Sequence, residues 1–138
     1  DSSSDIPNKL KSRKLKLKTE DNAMDILQTK AYAFALRVVT LCEYLHREKK
    51  EYVLSRKLLD SGTNIALFIE EGKQGEDRSD FIQRYSVANK EAFKSHLLLR
   101  LLRDSGFVEQ DEANSYLTDC GELQGLLISS LRTARKNQ

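Results

Sequence analysis

Two histidines are the residues with the clearest potential for metal chemistry. Glu43 and His46 have the Glu-x-x-His spacing that holds metal ions in some four-helix bundles. A di-metal site of that kind needs the motif twice, together with two further glutamates. The other histidine, His96, has Phe93 at the position where the second glutamate would stand. We therefore predict neither a metal centre nor a cofactor.

Glu70 and Glu71 are the strongest candidates for paired carboxylate chemistry. Adjacent residues on a helix point about 100° apart, so the two carboxylates cannot flank one scissile bond as a glycosidase pair does. His96 has no suggested nucleophile beside it, and its neighbours Lys94 and Arg100 favour a partly exposed histidine. We predict that the chain is not an enzyme and that the two carboxylates cap, pair or hydrate.

The helical stretch before these glutamates contains Ser61-Gly62-Thr63, three residues that helix interiors usually avoid. Glycine inside a helix costs about 1 kcal/mol relative to alanine, so a compensating contact is expected. We expect close packing against small residues of neighbouring helices, namely Ala31, Ala35, Ala88 and Ala92. The alternative is that Gly62 opens the backbone to a ligand, although no phosphate-loop spacing surrounds it.

Four stretches carry apolar residues at alternating spacings of three and four, which is typical of bundle helices. The first two are predicted near residues 25–47 and 51–72, and the first is widened by a second line of Tyr32, Ala35, Val39 and Cys42. The third follows a cap at Asp77 or Ser79 and stops at Ser105-Gly106, and the fourth runs from near Glu109 to near Arg135. The connections are too short for long crossovers, so we predict an all-α, antiparallel up-down-up-down four-helix bundle.

The composition supports a single helical domain. Of 138 residues, 39% are hydrophobic and 32% charged, with one proline and no tryptophan. No apolar run reaches the roughly 18 residues of a membrane span, and the first residues lack the apolar core of a secretory signal, so we expect a cytoplasmic protein. Cys42 and Cys120 fall within predicted helices, and buried thiols are therefore favoured over a disulfide.

Basic residues concentrate near the amino terminus. Residues 9–18 (KLKSRKLKLK) contain six Lys or Arg and no acid. Residues 1–21 contain those six and four acids, which leaves 17 basic and 17 acidic residues in the rest of the chain. We predict an N-terminal basic arm over residues 1–24 and the bundle over residues 25–138. The arm is either a solvated tail or a phosphate-binding segment.

The third helix carries a leucine-rich run, HLLLRLL, at residues 96–102. Its leucines fan over about 200° of the helix surface, whereas a bundle interior takes a narrower stripe. Some of them should therefore face outward and form a self-association surface, and the candidates are Leu97, Leu98 and Leu101. A wide core is the alternative.

Four stretches resemble the bacterial family of four-helix-bundle proteins associated with 23S rRNA intervening sequences. They are KAYAFALRVVTLCEYL, EYVLSRKLLDSGTNIALFIEEG, SDFIQRYSVANKEAFKSHLLLRLLRDSGF and YLTDCGELQGLLISSLRTARK. The most specific element is the order LS-x-x-LL-x-SGT-x-I, two glutamates, DFI and KEA. The resemblance covers all four predicted helices.

The resemblance implies a non-enzymatic scaffold that assembles as a homopentamer and binds RNA or DNA. The predicted arm has no aromatic residue among its basic residues, which favours sequence-tolerant binding. The alternative function is a protein-docking adaptor, because the related accessory variability proteins of diversity-generating retroelements assist a reverse transcriptase. The residues predicted to contact phosphate are Lys9, Lys11, Arg13, Lys14, Lys16, Lys18, Arg132, Arg135 and Lys136. Solvated helix faces explain Arg56, Lys57, Lys90 and Lys94 as readily as a second basic patch does.

Overall fold

The computed structural model describes residues 22–137, with side chains described from residue 26 onward. Within that range the chain forms four α-helices and no strand: α1 (Asn22–Glu48), α2 (Leu54–Lys73), α3 (Arg78–Asp104) and α4 (Gln110–Lys136). The helix α1 begins inside the stretch predicted to be the arm. The predicted helix starts later because the apolar line of α1 begins only at Leu27. Residues 1–21 of the predicted arm lie outside the described residues.

The four helices form a ring in chain order, which α1 closes by contacting α4. Successive helices run antiparallel because their connections are short. The amino group of Lys73, at the end of α2, donates to Gln28 Oε1 near the start of α1 at 2.9 Å. The predicted all-α antiparallel bundle is confirmed. None of the described helices is both long and apolar enough to span a membrane.

Glu51 fixes the start of α2. Its carboxylate accepts hydrogen bonds from the backbone N–H groups of Val53, Leu54 and Ser55 at 3.1, 2.9 and 2.8 Å. Burial by itself would raise the pKa of Glu51, but the hydrogen bonds outweigh burial and hold this pKa below its usual value. The helix begins at Leu54 rather than near residue 51 because residues 51–53 serve as its cap.

The other two connections are also closed by local contacts. Asp77, one of the two predicted caps of α3, accepts a hydrogen bond from the backbone N–H of Asp80 at 2.9 Å. After α3, Gly106 has φ +84°, a left-handed conformation that favours glycine. The backbone N–H of Val108 then donates to the carbonyl of Leu102 at 3.1 Å. This contact folds the chain back for α4.

The apolar lines predicted from the sequence form the core. In α1 every member of the predicted line is buried, namely Leu27, Ala31, Phe34, Val38, Leu41 and Leu45. The prediction that Tyr32 widens this face is wrong, because the Tyr32 side chain is 62% exposed. The helix α1 contacts only α2 and α4 among the described helices, so its buried stripe is narrower than the pattern suggested.

Gly62 lies where α2 approaches α1. A Cβ atom placed on Gly62 would stand 2.9 Å from both methyl carbons of Val38. The expected neighbours of Gly62 are wrong, because the nearest atoms are those of Val38 and not those of Ala31, Ala35, Ala88 or Ala92. Next to this contact, the hydroxyl oxygens of Ser61 and Ser95 are 2.7 Å apart inside the core and join α2 to α3.

Both cysteines are free and buried, as predicted. The Cys42 thiol donates to the carbonyl of Ser55 at 3.2 Å, and the Cys120 thiol donates to the carbonyl of Ala92 at 3.2 Å. Burial raises the pKa of Cys42 to about 11 and that of Cys120 to about 12. The thiols therefore stay protonated at neutral pH and serve as hydrogen-bond donors between helices.

Replacing Gly62 tests the contact between α2 and α1. We expect Gly62→Leu to lower the free energy of unfolding by about 1–3 kcal/mol, because the new side chain overpacks against Val38. Gly121→Leu is the matched control, since a Cβ at Gly121 meets no atom within 4 Å and leucine forms helix better than glycine. Urea denaturation measures both variants. A Gly62→Leu variant as stable as the parent protein contradicts the contact.

Glu51→Ala tests the cap of α2. We expect it to lower the free energy of unfolding at neutral pH by about 1–2 kcal/mol. The folded-state pKa of Glu51 lies below its unfolded value, so the stabilisation is present above the unfolded pKa and is lost as the pH falls through the folded pKa. The difference between parent and variant should therefore shrink below about pH 4.3. The control is Glu48→Ala, which removes an exposed carboxylate. If the loss of unfolding free energy in Glu51→Ala is the same in acid as at neutral pH, the charged carboxylate of Glu51 does not cap α2.

Candidate nucleic-acid interface

Four basic side chains surround one open groove between α3 and α4. The groove has a volume of about 640 Å³. Its lining includes Lys90 from α3 and Arg132, Arg135 and Lys136 from α4, and no carboxylate. An opening lined by cations and no anions concentrates positive potential and attracts anionic ligands.

The antiparallel packing places these cations together. The first half of α3 lies beside the last half of α4, and Arg135 Nη2 donates to Ser86 Oγ across the groove at 3.3 Å. Arg132 and Arg135 lie one turn apart on α4, so they share a face. Arg132, Arg135 and Lys136 lie near the carboxyl end of α4, where the negative end of the helix dipole favours positive charge.

Apolar and amide groups lie between the cations. Ile128 is 40% exposed and Leu131 is buried, and together they form an apolar wall. Asn89 is half-buried, and its Oδ1 atom is shielded from solvent without accepting a hydrogen bond from the described residues. No aromatic side chain lines the groove. The lining therefore suits anionic groups and offers no aromatic face on which a base could stack.

Two carboxylates of α4, Asp119 and Glu122, lie outside the groove and bind α1. Lys30 pairs with Glu122, and Arg37 pairs with Asp119. The Arg37 guanidinium also lies 4.0 Å from the ring centre of Tyr116. By contrast, none of the four groove cations forms an ion pair with another described residue. Their charge is therefore not neutralised within the described part of the chain.

The predicted phosphate contacts fall into two groups. Arg132, Arg135 and Lys136 all line the groove. The six predicted contacts of the arm, Lys9, Lys11, Arg13, Lys14, Lys16 and Lys18, lie outside the described residues. Lys90 also lines the groove. No sequence pattern places it with the end of α4, because only the helix register brings the two together. Ser86 and Asn89 carried no sequence signal.

Two other lysines of the body lie in a different setting. Lys57 and Lys94 line a depression between α2 and α3 that also contains Asp60 and Glu91. The amino group of Lys94 is 2.7 Å from the carboxylate of Glu91, whose side chain is 8% exposed. Opposite charges compensate here, so this depression does not form a second basic patch.

The adjacent glutamates of α2 are engaged in pairing, as the sequence predicted. Glu70 accepts a hydrogen bond from the side chain of Gln28. Glu71 lies 3.6 Å from the guanidinium of Arg84. The two carboxylates thus face different helices, α1 and α3, and do not form one site.

The histidines are not brought together with other metal-binding groups. His46 packs edge-on against Tyr52, with ring centres 5.4 Å apart. Burial lowers the pKa of His96, and the charges of Arg100 and Arg103 lower it further. Across residues 22–137, no three His, Cys, Asp or Glu side chains cluster in a way that could hold a metal ion.

An apolar stripe runs along the outer face of α3. It consists of Phe93, Leu97 and Leu101, which are spaced by four residues and are 56%, 48% and 44% exposed. The expectation that Leu98 faces outward with them is wrong, because Leu98 is 9% exposed and belongs to the core. Leu98 lies about 100° round the helix from Leu97, which turns it inward.

The fold and the groove define a small antiparallel helical bundle with a basic surface at one end. The sequence matches the family model for the 23S rRNA-intervening sequence protein over residues 24–129. A similar solved structure is that of a protein of unknown function from the S23 ribosomal protein family of Bacteroides thetaiotaomicron. It shares 34% identity and a TM-score of 0.79, covering 80% of this chain and 98% of that chain.

This chain therefore belongs to the 23S rRNA-intervening sequence protein family. A comparison with curated proteins gave no match. The family match includes Lys90 and ends before Arg132, so three of the four groove cations lie beyond it.

Proposed function

We propose that the protein is a non-enzymatic scaffold that binds the phosphate backbone of RNA or DNA in the groove between α3 and α4. The observation that carries this proposal is the set of four cations, without ion-pair partners among the described residues, around one opening of about 640 Å³. Lysine and arginine donate hydrogen bonds to phosphate oxygens and carry no base preference by themselves. Binding is therefore tolerant of sequence.

The predicted basic arm is joined to the bundle through the start of α1. Lys30 of α1 pairs with Glu122 of α4, while Arg37, further along α1, pairs with Asp119, nearer the start of α4. The two helices are thus antiparallel, and α1 starts at the end of the bundle where α4 finishes. Residues 9–18 are joined to the bundle at the groove end, and we propose that their six cations add phosphate contacts.

Removing the α4 cations tests the groove. We expect the triple variant Arg132→Ala, Arg135→Ala, Lys136→Ala to bind single-stranded RNA and DNA more weakly. Each lost phosphate contact should reduce the slope of log affinity against log salt by about 0.7. Fluorescence anisotropy over a salt series measures affinity and slope together.

The matched control removes three cations from the opposite end of the bundle, with Arg47→Ala, Lys49→Ala and Arg56→Ala. All three are exposed, so this variant loses the same charge without touching the groove. Equal losses in the two triple variants would show a general charge effect and reject the groove. Deleting residues 1–18 tests the arm separately, and unchanged binding after that deletion rejects its role.

We also propose that copies of the chain associate through the apolar stripe of Phe93, Leu97 and Leu101. Three large apolar side chains on consecutive turns of one helix form a contiguous exposed patch, and such patches commonly mark association surfaces. Association would multiply grooves and arms in one particle and raise the overall affinity for a long polynucleotide. The family resemblance implies five copies. Leu98 is 9% exposed, so only a small part of its side chain can contact another copy.

Replacing the stripe residues tests self-association. We expect Leu97→Glu with Leu101→Glu to reduce the native mass measured by light scattering after nuclease treatment. Leu67→Glu is the control, since Leu67 is 52% exposed on α2 and lies outside the stripe. A parent protein that stays monomeric at about micromolar concentration rejects self-association. It would instead favour the second candidate, in which the stripe docks another protein such as a reverse transcriptase.

A further inference from the structure

Asn89 presents an acceptor that has no donor among the described residues. Its Oδ1 atom is shielded from solvent and accepts no hydrogen bond from them. Leaving a shielded polar atom unpaired is unfavourable, so a rearrangement that gives this atom a donor is favoured. The terminal torsion of asparagine is soft, so rotation about it can present Oδ1 to the groove that Asn89 lines.

The surrounding residues determine which ligand atoms remain for Asn89. Lys90, Arg132, Arg135 and Lys136 are donors only, so they hold the phosphate oxygens. The Ser86 hydroxyl oxygen already accepts from Arg135 at 3.3 Å. Among the lining side chains, Asn89 Oδ1 is therefore the acceptor that has no donor, and its ligand atom must be a donor placed beside a phosphate.

The nucleic-acid backbone supplies such a donor in only one of its two forms. Phosphate and sugar-ring oxygens, which DNA and RNA share, accept hydrogen bonds. RNA adds one hydroxyl per nucleotide, the 2′-OH, which can donate. Donors on the bases vary with sequence, whereas every nucleotide of RNA carries a 2′-OH. A groove that holds the RNA backbone therefore meets this donor at every nucleotide.

We propose that the groove prefers RNA to DNA because Asn89 Oδ1 accepts a hydrogen bond from a ribose 2′-hydroxyl while the four cations hold the adjacent phosphates. This inference rests on the proposed function, since it assigns the class of nucleic acid bound by the same groove. It adds a residue that determines specificity to a surface whose cations recognise only the negative charge of the ligand.

The test compares three single-stranded oligonucleotides of one sequence: RNA, DNA and 2′-O-methyl RNA. The methylated strand keeps the ribose oxygen and loses the donor proton. We expect the parent protein to bind RNA about fivefold more tightly than either of the other two at the same low salt concentration. Asn89→Leu, which removes the acceptor, should lower the RNA affinity to the DNA affinity of the same variant.

Asn114→Leu is the matched control, because Asn114 is an exposed asparagine of α4 outside the groove that accepts a hydrogen bond from Arg103. It should keep the preference for RNA. Equal affinity of the parent for RNA and DNA overturns this inference and leaves the proposed function standing, whereas binding to neither overturns the proposed function itself. The 2′-O-methyl comparison uses the parent protein alone, so it decides the question even if Asn89→Leu fails to fold.

Discussion

The antiparallel order imposed by three short connections is the constraint on which the rest of the structure depends. Each connection is closed locally: by the Glu51 carboxylate before α2, by Asp77 before α3 and by Gly106 after α3. With that order fixed, the early turns of α3 must lie beside the late turns of α4. Lys90 and Arg132, which are distant in the chain, thereby line one groove.

The distribution of charge along α4 follows from the same arrangement. Its acidic residues Asp119 and Glu122 face α1 and pair with Arg37 and Lys30. Its final turns carry the cations instead, at the helix end where the dipole favours them. A body with equal numbers of acidic and basic residues in its sequence therefore presents a positive groove at one end. Segregation of charge, and not net charge, accounts for the proposed affinity for phosphate.

Helical periodicity was sufficient to predict the number of helices, their order and most of the core. It failed where neighbours decide the outcome. Tyr32 fits the apolar pattern of α1, but its side chain is exposed and does not lie on the faces of α1 that pack against α2 and α4. Leu98 is buried although its neighbour Leu97 is exposed. The need for close packing at Gly62 was predictable from the cost of glycine in a helix, but its partner Val38 depends on the register between α1 and α2.

The candidate site was predictable only in part, for the same reason. A run of basic residues at the end of a helix is visible in the sequence, so Arg132, Arg135 and Lys136 were named. Lys90 and Asn89 lie on another helix among ordinary surface residues, and nothing local distinguishes them. Their place in the groove is a consequence of helix register, which three- and four-residue spacings do not specify.

The most direct test of the nucleic-acid interface is an NMR titration that follows backbone amide shifts as a short oligonucleotide is added at low salt. If the groove binds the phosphate backbone, the largest shift changes within the described bundle will fall in two segments, residues 86–90 and residues 128–136. Changes of similar size spread over all four helices, or changes confined to the opposite end of the bundle, would contradict this account.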